Sequence, residues 1–329
     1  MPIDLVTGGS GFIGRHVVTA LRARGGRVRV LDLAPPEDLA GDVEFVPGSI
    51  LDPPCLDAAM ANVRHVYHLA GIAKLWSCEK SDFDRINAGG TAALLRAAAA
   101  QRVERVVHCS TEAILLPKRG GADALIDETV RPELSDMPGP YTRSKLKAEQ
   151  SVLAAVQGGL DALIVSPTVP VGPGDRNLTP AAAMLSMFLN GQSPAYLDCV
   201  LNLVDVRDVA AGMVLAAERG RTGERYILGG DNVALRDLLI VLERISGRPM
   251  PKRAVPGWLA LGSAAVAEWA AGVTGRTPAA TREGVRLALR SRPFDSRKAR
   301  TELGYAPRPL QDALADAVAW LSSVGETEK

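Results

Sequence analysis

The chain has 329 residues, of which 47% are hydrophobic and 4% aromatic, and its formal net charge at pH 7 is +1. This length and hydrophobic content suffice for a large α/β domain with an added cap. The near-neutral charge gives no strong electrostatic case for a nucleic acid or an anionic membrane as partner, and the few aromatic residues further disfavour a base-stacking surface. The four cysteines form no C-x-x-C pair and the four histidines have no ligand spacing, so we expect neither disulfides nor a metal site.

The N-terminus enters an apolar strand without a basic region, so we expect a cytoplasmic protein without a signal peptide. One segment, residues 255–275, is apolar enough to consider as a membrane span. It contains Glu268 and many glycines and alanines, which disfavours an integral span. We interpret it as a buried or substrate-facing helix, with shallow membrane contact as the alternative.

A glycine-rich turn lies between the first predicted strand, residues 3–6, and a helical pattern. Gly8 permits a tight turn, Gly11 lets the backbone approach a pyrophosphate, and Gly14 lets the helix pack close to the strand. The free N–H groups at the helix start then face the phosphates. This strand, turn and helix predict a dinucleotide-binding crevice.

The second predicted strand, residues 28–32, ends at Asp32. A carboxylate there accepts hydrogen bonds from the adenosine ribose hydroxyls and repels a ribose 2′-phosphate. Leu33 and Ala34 supply no arginine for such a phosphate, so NAD is favoured over NADP. The alternative is a solvated strand end without a role in binding.

Short apolar strands alternate with helices through the first half of the chain. This alternation predicts an α/β fold with a Rossmann-type doubly wound parallel sheet, whose ligand lies at the carboxyl ends of the strands. His68, inside a predicted strand, is interpreted as a hydrogen-bonded core residue. Further strands are predicted at residues 43–47, 65–71, 103–110 and 161–165, and helices at residues 53–60 and 82–100.

Two polar groups fall at that ligand-binding edge. Thr111 follows the fifth strand, and Tyr141 and Lys145 lie four residues apart at the start of a helix. A neighbouring ammonium and an oxidised nicotinamide ring both lower the pKa of a phenol, which makes it a better acid/base. Thr111 can hold a substrate oxygen while Tyr141 exchanges its proton. The alternative is an ordinary helix start with an i,i+4 pair.

The second half of the chain is predicted to form a smaller, mostly helical C-terminal substrate-binding cap. We assign residues 1–175 and 200–230 to the nucleotide-binding domain, and residues 176–199 and 231–329 to the cap. Within the former, strands at 201–205 and 226–228 are expected to return to the main sheet. Further helices are predicted at residues 179–190, 206–219, 235–246, 258–273, 282–288 and 310–321.

One of these helices carries large apolar side chains that can line a pocket above the nicotinamide, which would indicate a largely apolar alcohol or ketone as substrate. The alternative is that they are packed core. The side chains are those of Trp258, Leu259, Leu261, Val266 and Trp269.

Several further stretches complete a pattern that covers essentially the whole chain. They are the glycine turn from Thr7 to Gly14, Asp32, His68 to Gly71, Asn87, Ser110-Thr111, Tyr141-x-x-x-Lys145, Ser166 to Thr168, Val206 to Ala210, and Leu303 to Tyr305. In this order they resemble the extended short-chain dehydrogenase/reductase family, also called the NAD-dependent epimerase/dehydratase family. Leu75-Trp76 and the stretches 140–145, 171–175, 202–206 and 223–230 are similar to its dihydroflavonol-4-reductase-like and hopanoid-associated sugar epimerase-like branch.

The resemblance implies that Tyr141 is the catalytic acid/base, that Lys145 lowers its pKa and binds the nicotinamide ribose, and that Thr111 takes the place usually held by serine. It also implies that Asp208 caps the helix that follows it. The cofactor contacts that it implies are Gly8, Gly11, Phe12, Ile13, Gly14, Asp32, Ser49, Ile50, Leu69, Ala70, Gly71, Asn87, Ser110, Tyr141, Lys145, Pro167, Thr168 and Val169.

The sequence departs from the family pattern in places. Ser49 stands where many relatives have an aspartate near the adenine, and Ser166 replaces an arginine that often precedes the proline. Leu201 stands where nucleotide-sugar epimerases tend to have an arginine, which disfavours a nucleotide-sugar substrate because a diphosphate needs charged partners. Other arginines remain available for that role, namely Arg176, Arg207 and Arg253.

These features predict an NAD(H)-dependent oxidoreductase that acts on a small-molecule carbinol or carbonyl. A sugar epimerase or dehydratase that recycles its cofactor is one alternative, and a non-catalytic NAD-binding regulator is another. The resemblance also implies a homodimer joined through the helices at 82–100 and 141–155.

Overall fold

A computed structural model describes residues 3–35, 42–118 and 125–327 of the chain, with side chains described as far as residue 323. The strands are β1 (Ile3–Thr7), β2 (Arg27–Asp32), β3 (Glu44–Pro47), β4 (Val63–His68), β5 (Arg105–Cys109), β6 (Ala162–Pro167), β7 (Val169–Val171), β8 (Tyr196–Leu197), β9 (Val200–Asp205), β10 (Arg225–Leu228), β11 (Asp231–Ala234) and β12 (Ala254–Val255).

The helices alternate with these strands in the first half and follow one another in the last third. They are α1 (Phe12–Ala23), α2 (Pro53–Met60), α3 (Thr91–Ala100), α4 (Pro140–Gln157), α5 (Pro180–Leu189), α6 (Val206–Arg219), α7 (Leu235–Ser246), α8 (Gly257–Thr274), α9 (Arg282–Arg290) and α10 (Leu310–Thr327). The predicted helix at 82–100 begins with a segment of π-type turns, Phe83–Gly90, that continues directly into α3.

The main sheet has seven strands in the order β3-β2-β1-β4-β5-β6-β10, and every neighbouring pair is parallel. The order runs outward in both directions from β1, as in a doubly wound nucleotide-binding sheet. The structure therefore confirms the predicted fold class. Parallel strands bring their carboxyl ends to one edge, where the glycine turn after β1 also lies.

Both faces of the sheet are covered, which explains why most positions of its strands are buried. On one face Val17 and Leu21 of α1 pack with Val209 and Met213 of α6. The other face carries a second cluster from α2, α3 and α4, which includes Leu56, Leu94, Leu95 and Val152. The sheet is thus held rigidly between two helical layers.

One strand prediction was wrong. The segment predicted at 201–205 forms β9, but β9 pairs with β7 and β11 in a separate three-stranded sheet rather than in the main sheet. The physical reason is that β7 and β11 occupy both of its edges, so that only β10 returns to the main sheet, beside β6. The division into a nucleotide-binding domain and a cap remains a prediction.

The predictions for the large side chains of α8 were also wrong. Trp258 and Trp269 are 75% and 73% exposed, so they neither line a pocket nor form core. The buried side chains of this helix are those of Ala260, Ala264 and Ala271, because the small face of α8 is the one turned inward. Within the described ranges, no helix combines the length and apolarity needed to cross a membrane.

The close packing of α1 on the glycine turn gives a testable prediction. A Cβ at Gly14 would lie 2.1 Å from the carbonyl oxygen of Gly8, so Gly14→Ala must push the helix away from the turn. We expect a loss of about 1–3 kcal/mol in the free energy of unfolding, measured by chemical denaturation. The matched control is Gly262→Ala, at a helical position with open space, where alanine should gain about 0.5–1 kcal/mol. Equal stability of the two variants would contradict the packing described here.

Candidate active site

The carboxyl ends of β1, β4, β5 and β6 border one cleft of about 670 Å³. This is the position where ligands bind in doubly wound sheets, because the loops that leave successive strands diverge there. The loop at 72–77, the start of α5 and Leu287 of α9 form the remaining walls. The cleft therefore joins the main sheet to the helices of the second half.

The glycine turn fits a dinucleotide for steric reasons. Gly8 has a positive φ of 71°, and a Cβ on it would lie 2.7 Å from the backbone nitrogen of Ala70. Gly11 is the N-cap residue of α1, so no side chain covers the N–H groups of the first turn. These residues form the cradle that a pyrophosphate needs, with the helix dipole favouring its negative charge.

Asp32 is fixed at the end of β2, beside that cradle. Its carboxylate accepts hydrogen bonds from the backbone N–H groups of Ser10, at 2.9 Å, and of Leu33, at 2.7 Å. The turn and the carboxylate are therefore held as one unit. A ribose bound there would meet a negative charge, which suits hydroxyl groups and opposes a 2′-phosphate.

The structure brings most of the predicted cofactor residues together. Those that line the cleft are Gly8, Gly11, Phe12, Ile13, Gly14, Leu69, Gly71, Ser110, Tyr141, Lys145, Pro167, Thr168 and Val169. The hydroxyl groups of Ser110 and Thr168 are buried and have no hydrogen-bond partner among the described residues. They therefore remain available to a bound molecule.

Four predicted cofactor residues lie behind the cleft or beside it. Ala70 packs against Gly8, and Ile50 belongs to the core cluster on one face of the sheet. The hydroxyl of Ser49 accepts a hydrogen bond from the N–H of Leu51, at 3.1 Å. Their predicted contacts with the cofactor remain predictions.

The fourth of these residues, Asn87, is buried and does not line the cleft. Its Oδ1 accepts a hydrogen bond from the N–H of Ile72, at 2.7 Å, and its Nδ2 donates to the Ser144 hydroxyl, at 2.9 Å. It thus ties the loop after β4 to α4. These hydrogen bonds support the site from behind the cleft.

The three predicted catalytic residues meet at the floor of the cleft. Tyr141 is buried at the start of α4, and its side chain lines the same cleft as Thr111. Lys145 lies one turn further along α4 and donates from Nζ to the carbonyl oxygen of Cys109, at 2.7 Å. Strand β5 and helix α4 therefore position all three.

Burial raises the pKa of Tyr141 above its ordinary value, and the neighbouring Thr111 hydroxyl opposes that rise. Burial also lowers the pKa of Lys145. Both groups are shielded from water, which penalises the charged form of each. The lowering of the Tyr141 pKa by Lys145 and a nicotinamide ring remains a prediction.

Glu112 is a cleft residue that the sequence reasoning missed. The hydroxyl of Thr111 donates to its carboxylate, at 2.9 Å, and burial raises its pKa to about 7. Its negative charge in turn raises the pKa of Tyr141. A carboxylate directly after the predicted catalytic threonine was the available signal.

Two further residues come from α9 and had no signal near the motifs. Leu287 lines the cleft, and Glu283 accepts hydrogen bonds from the N–H groups of Tyr141, at 3.2 Å, and Thr142, at 2.9 Å. The Thr142 hydroxyl also donates to Glu283, at 2.7 Å. These contacts join residues about 140 positions apart, so only the fold reveals them.

Two interpretations of single residues can now be judged. His68 is a core residue as predicted: its ring nitrogens pair with the hydroxyls of Thr7 and Thr91, and burial lowers its pKa to about 3.

The capping prediction for Asp208 was wrong. Asp205 accepts the capping bond at the start of α6, whereas Asp208 pairs with Arg308. Asp205 precedes the helix and Asp208 lies in its first turn, where it cannot cap.

A search of the described residues for groups of three or more His, Cys, Asp or Glu side chains able to hold a metal ion finds none. The side chains of the cleft lining that can take part in acid/base or nucleophilic chemistry include the hydroxyls, the Cys109 thiol, Glu112 and Lys145.

Comparison with known proteins identifies the family. The model of the NAD-dependent epimerase/dehydratase family matches residues 5–229. A protein of Synechocystis sp. named as a dihydroflavonol 4-reductase is 38% identical, over 97% of this chain and 94% of its own. Sterol demethylase protein B of Methylococcus capsulatus is 32% identical, over 98% of both chains. A ketoreductase of a farnesyl-substituted dihydroquinoline-1-oxide from Stigmatella aurantiaca is 33% identical, over 98% and 97%.

Solved structures agree with these matches. The protein gox2253 superposes with a TM-score of 0.84 at 38% identity, and 99% of each chain is covered. MoeE5, solved with UDP-glucuronic acid and NAD, superposes with a TM-score of 0.78 at 27% identity, over 98% of this chain and 99% of its own. The cradle and Asp32 described above fit NAD, the cofactor of the family. The chain belongs to the NAD-dependent epimerase/dehydratase family of enzymes.

Proposed function

We propose that the protein is an NAD(H)-dependent oxidoreductase that interconverts a carbinol and a ketone on a largely apolar small molecule. The observation that carries this proposal is that Thr111, Tyr141 and Lys145 line the same cleft as the glycine cradle. A proton donor beside a nicotinamide site is what carbonyl reduction requires. Relatives named as reductases support it.

Each residue has a part in the proposed reaction. NAD(H), when bound, supplies the hydride donor or acceptor. The Thr111 hydroxyl turns its proton from Glu112 to the substrate oxygen and so holds that oxygen by a hydrogen bond. Tyr141 gives the same oxygen a proton during reduction or takes one from it during oxidation. Lys145, anchored on the Cys109 carbonyl, holds the nicotinamide ribose and keeps a positive charge near the phenol.

The Tyr141 phenol is in the protonated form that donates during reduction, and burial makes that form more stable by raising its pKa. Ionised Glu112 strengthens this effect, since a nearby negative charge disfavours the phenolate. Binding of a positively charged nicotinamide ring would act in the opposite sense and assist oxidation.

The cleft suits an apolar substrate better than a nucleotide sugar. The charged residues among its described lining are Lys74, Glu112 and Lys145, and none of them is an arginine. Arg207, one candidate partner for a diphosphate, already pairs with Asp205 at 2.6 Å and Asp316 at 2.5 Å. Relatives named for a sterol and for a farnesyl-substituted substrate support an apolar molecule.

The likeness to MoeE5, solved with UDP-glucuronic acid and NAD, favours one other reaction on the same scaffold. This is the epimerisation or dehydration of a nucleotide sugar, in which the cofactor is recycled. Net change in NADH separates the two reactions, because an epimerase causes none. If the protein binds NAD but converts no substrate, that result would instead support the other alternative, a non-catalytic NAD-binding regulator. The homodimer and the cytoplasmic location remain predictions.

The direct test is the reduction of cyclic and polycyclic ketones with NADH by the purified protein. We expect NADH oxidation, and we expect Tyr141→Phe to reduce kcat by at least about 100-fold because the proton donor is lost. Tyr196→Phe, which changes a partly buried tyrosine outside the cleft, is the matched control and should retain full activity.

Unchanged kcat in Tyr141→Phe would contradict the catalytic assignment. Activity confined to UDP-sugars, without net NADH change, would replace the proposed reaction with epimerisation. Calorimetric titration with NAD on each variant shows whether a loss of activity comes from chemistry or from a damaged cofactor site.

Asp32 gives a prediction about the cofactor. Replacing it with serine removes the charge that repels a 2′-phosphate and weakens the grip on the ribose hydroxyls. We expect Asp32→Ser to weaken NAD binding by about tenfold and to narrow the preference over NADP, measured by calorimetry. Asp57→Asn, an exposed carboxylate on α2, is the control. A variant that still prefers NAD as strongly as the wild type would refute the role of Asp32.

Glu112 gives a prediction about stability against pH. Folding raises the pKa of Glu112 from 4.5 to about 7. Below pH 4.5 the wild type therefore loses no stability through ionisation of Glu112, and it loses progressively more as the pH rises to 7. Glu112→Gln should therefore be more stable than the wild type at pH 8, by about 1–3 kcal/mol, and nearly equal to it at pH 5. Denaturation at both pH values measures this, with Asp57→Asn again as control. If the variant and the wild type differed in free energy of unfolding by the same amount at both pH values, folding would not shift the pKa of Glu112.

A further inference from the structure

The outer face of α8 concentrates exposed apolar side chains. Of the eleven large hydrophobic residues that are exposed in the described part of the chain, five lie on this one helix of 18 residues. We call them the α8 face: Trp258, Leu259, Val266, Trp269 and Val273. Contiguous apolar surface of this kind marks an interaction site in soluble domains, whereas single exposed apolar residues do not.

The α8 face is a coherent surface. Trp258 and Trp269 are eleven residues apart, about three helical turns, so both project from the same side of α8. The opposite side carries Ala260, Ala264 and Ala271, which are buried. A helix built only for the core would turn its tryptophans inward and its alanines outward. Here the large side chains face solvent.

The stretch of chain that contains α8 carries mostly positive charge. Residues 247–294 contain eight basic and two acidic residues, a net charge of +6, which leaves −5 for the rest of a chain whose total is +1. Of the two acidic residues, Glu268 pairs with Arg282 at 2.7 Å, and Glu283 is buried at the start of α4. The whole-chain charge therefore conceals a strongly basic region.

The basic residues stand at both ends of the α8 face. Lys252 and Arg253 precede the helix, and Arg276 follows its C-cap glycine. All three are exposed, and no hydrogen bond or ion pair joins their side chains to the described residues. An occupant of this surface must bring apolar groups for the helix and negative charges for its two ends.

A second copy of the chain fits this requirement poorly. In a symmetric dimer a surface meets itself, so two basic regions would be brought together and would repel each other. An anionic lipid bilayer supplies both components at once, acyl chains beneath a layer of negative headgroups. Tryptophan is also the side chain that favours the boundary between the two layers.

We propose that the α8 face docks on the surface of an anionic lipid bilayer. Helix α8 lies in the plane of the interface with Trp258 and Trp269 inserted, while Lys252, Arg253 and Arg276 contact the headgroups. This inference stands independently of the proposed reaction. It takes up the alternative of shallow membrane contact that the apolar composition of residues 255–275 left open, although the net charge of the whole chain gives no electrostatic case for an anionic membrane.

The test is flotation of the full-length protein with vesicles of phosphatidylcholine, with and without phosphatidylglycerol. We expect binding to the vesicles that contain phosphatidylglycerol, and weaker binding at high salt. The double variant W258S/W269S should reduce binding at least about tenfold, because it removes the inserted side chains. I240S is the matched control, since Ile240 is an exposed apolar residue on α7. NAD affinity and the unfolding midpoint establish that each variant is folded.

A charge variant completes the test: K252E/R253E should weaken binding to the anionic vesicles while leaving the α8 face intact. Failure of the wild type to float with anionic vesicles would overturn the proposal, as would equal flotation of wild type and W258S/W269S. Doubling of the mass in light scattering that W258S/W269S abolishes, without vesicle binding, would assign the face to a second copy instead.

Discussion

The active-site cleft depends on one buried carboxylate, that of Glu283, at the N-terminus of α4. The backbone N–H groups of Tyr141 and Thr142 would otherwise be buried without partners, a cost of about 1–3 kcal/mol each. Gly139 makes room for this contact between Glu283 and α4, since a Cβ there would lie 2.1 Å from the Glu283 carboxylate. This contact fixes the start of the helix on which Tyr141 and Lys145 stand, and it fixes α9 against the main sheet.

Several features of the cleft follow from the contact between Glu283 and α4. Leu287, one turn after Glu283, is placed in the cleft wall, and Gly284 packs against Leu75 of the opposite loop. Asn87 holds the same loop to α4 from behind. Tyr141 is therefore enclosed by elements from both halves of the chain. That enclosure also explains why burial dominates the pKa values of Tyr141 and Lys145.

The sequence predicted those parts of the site that local rules determine. A strand, a glycine turn and a helix start form a cradle wherever they occur in that order, and Asp32 and Thr111 follow from where the strands end. Glu283 and Leu287 could not be found this way, because they reach the site only through tertiary packing. The partners of β9 were missed for the same reason, since a strand pattern does not say which sheet it joins. For α8, apolar composition indicated a helix, but whether its tryptophans face inward depends on which side its alanines pack.

The proposed reaction transfers a hydride between a nicotinamide and a substrate carbon in this cleft, with Tyr141 as proton donor. The most direct measurement is mass spectrometry of the alcohol formed from a polycyclic ketone and NADH in which both hydrogens at the nicotinamide C4 position are deuterium. We expect one deuterium on the new carbinol carbon, and labelled product from Tyr141→Phe at no more than about one hundredth of the wild-type rate. A product without deuterium, or labelled product formed by Tyr141→Phe at the wild-type rate, would contradict it.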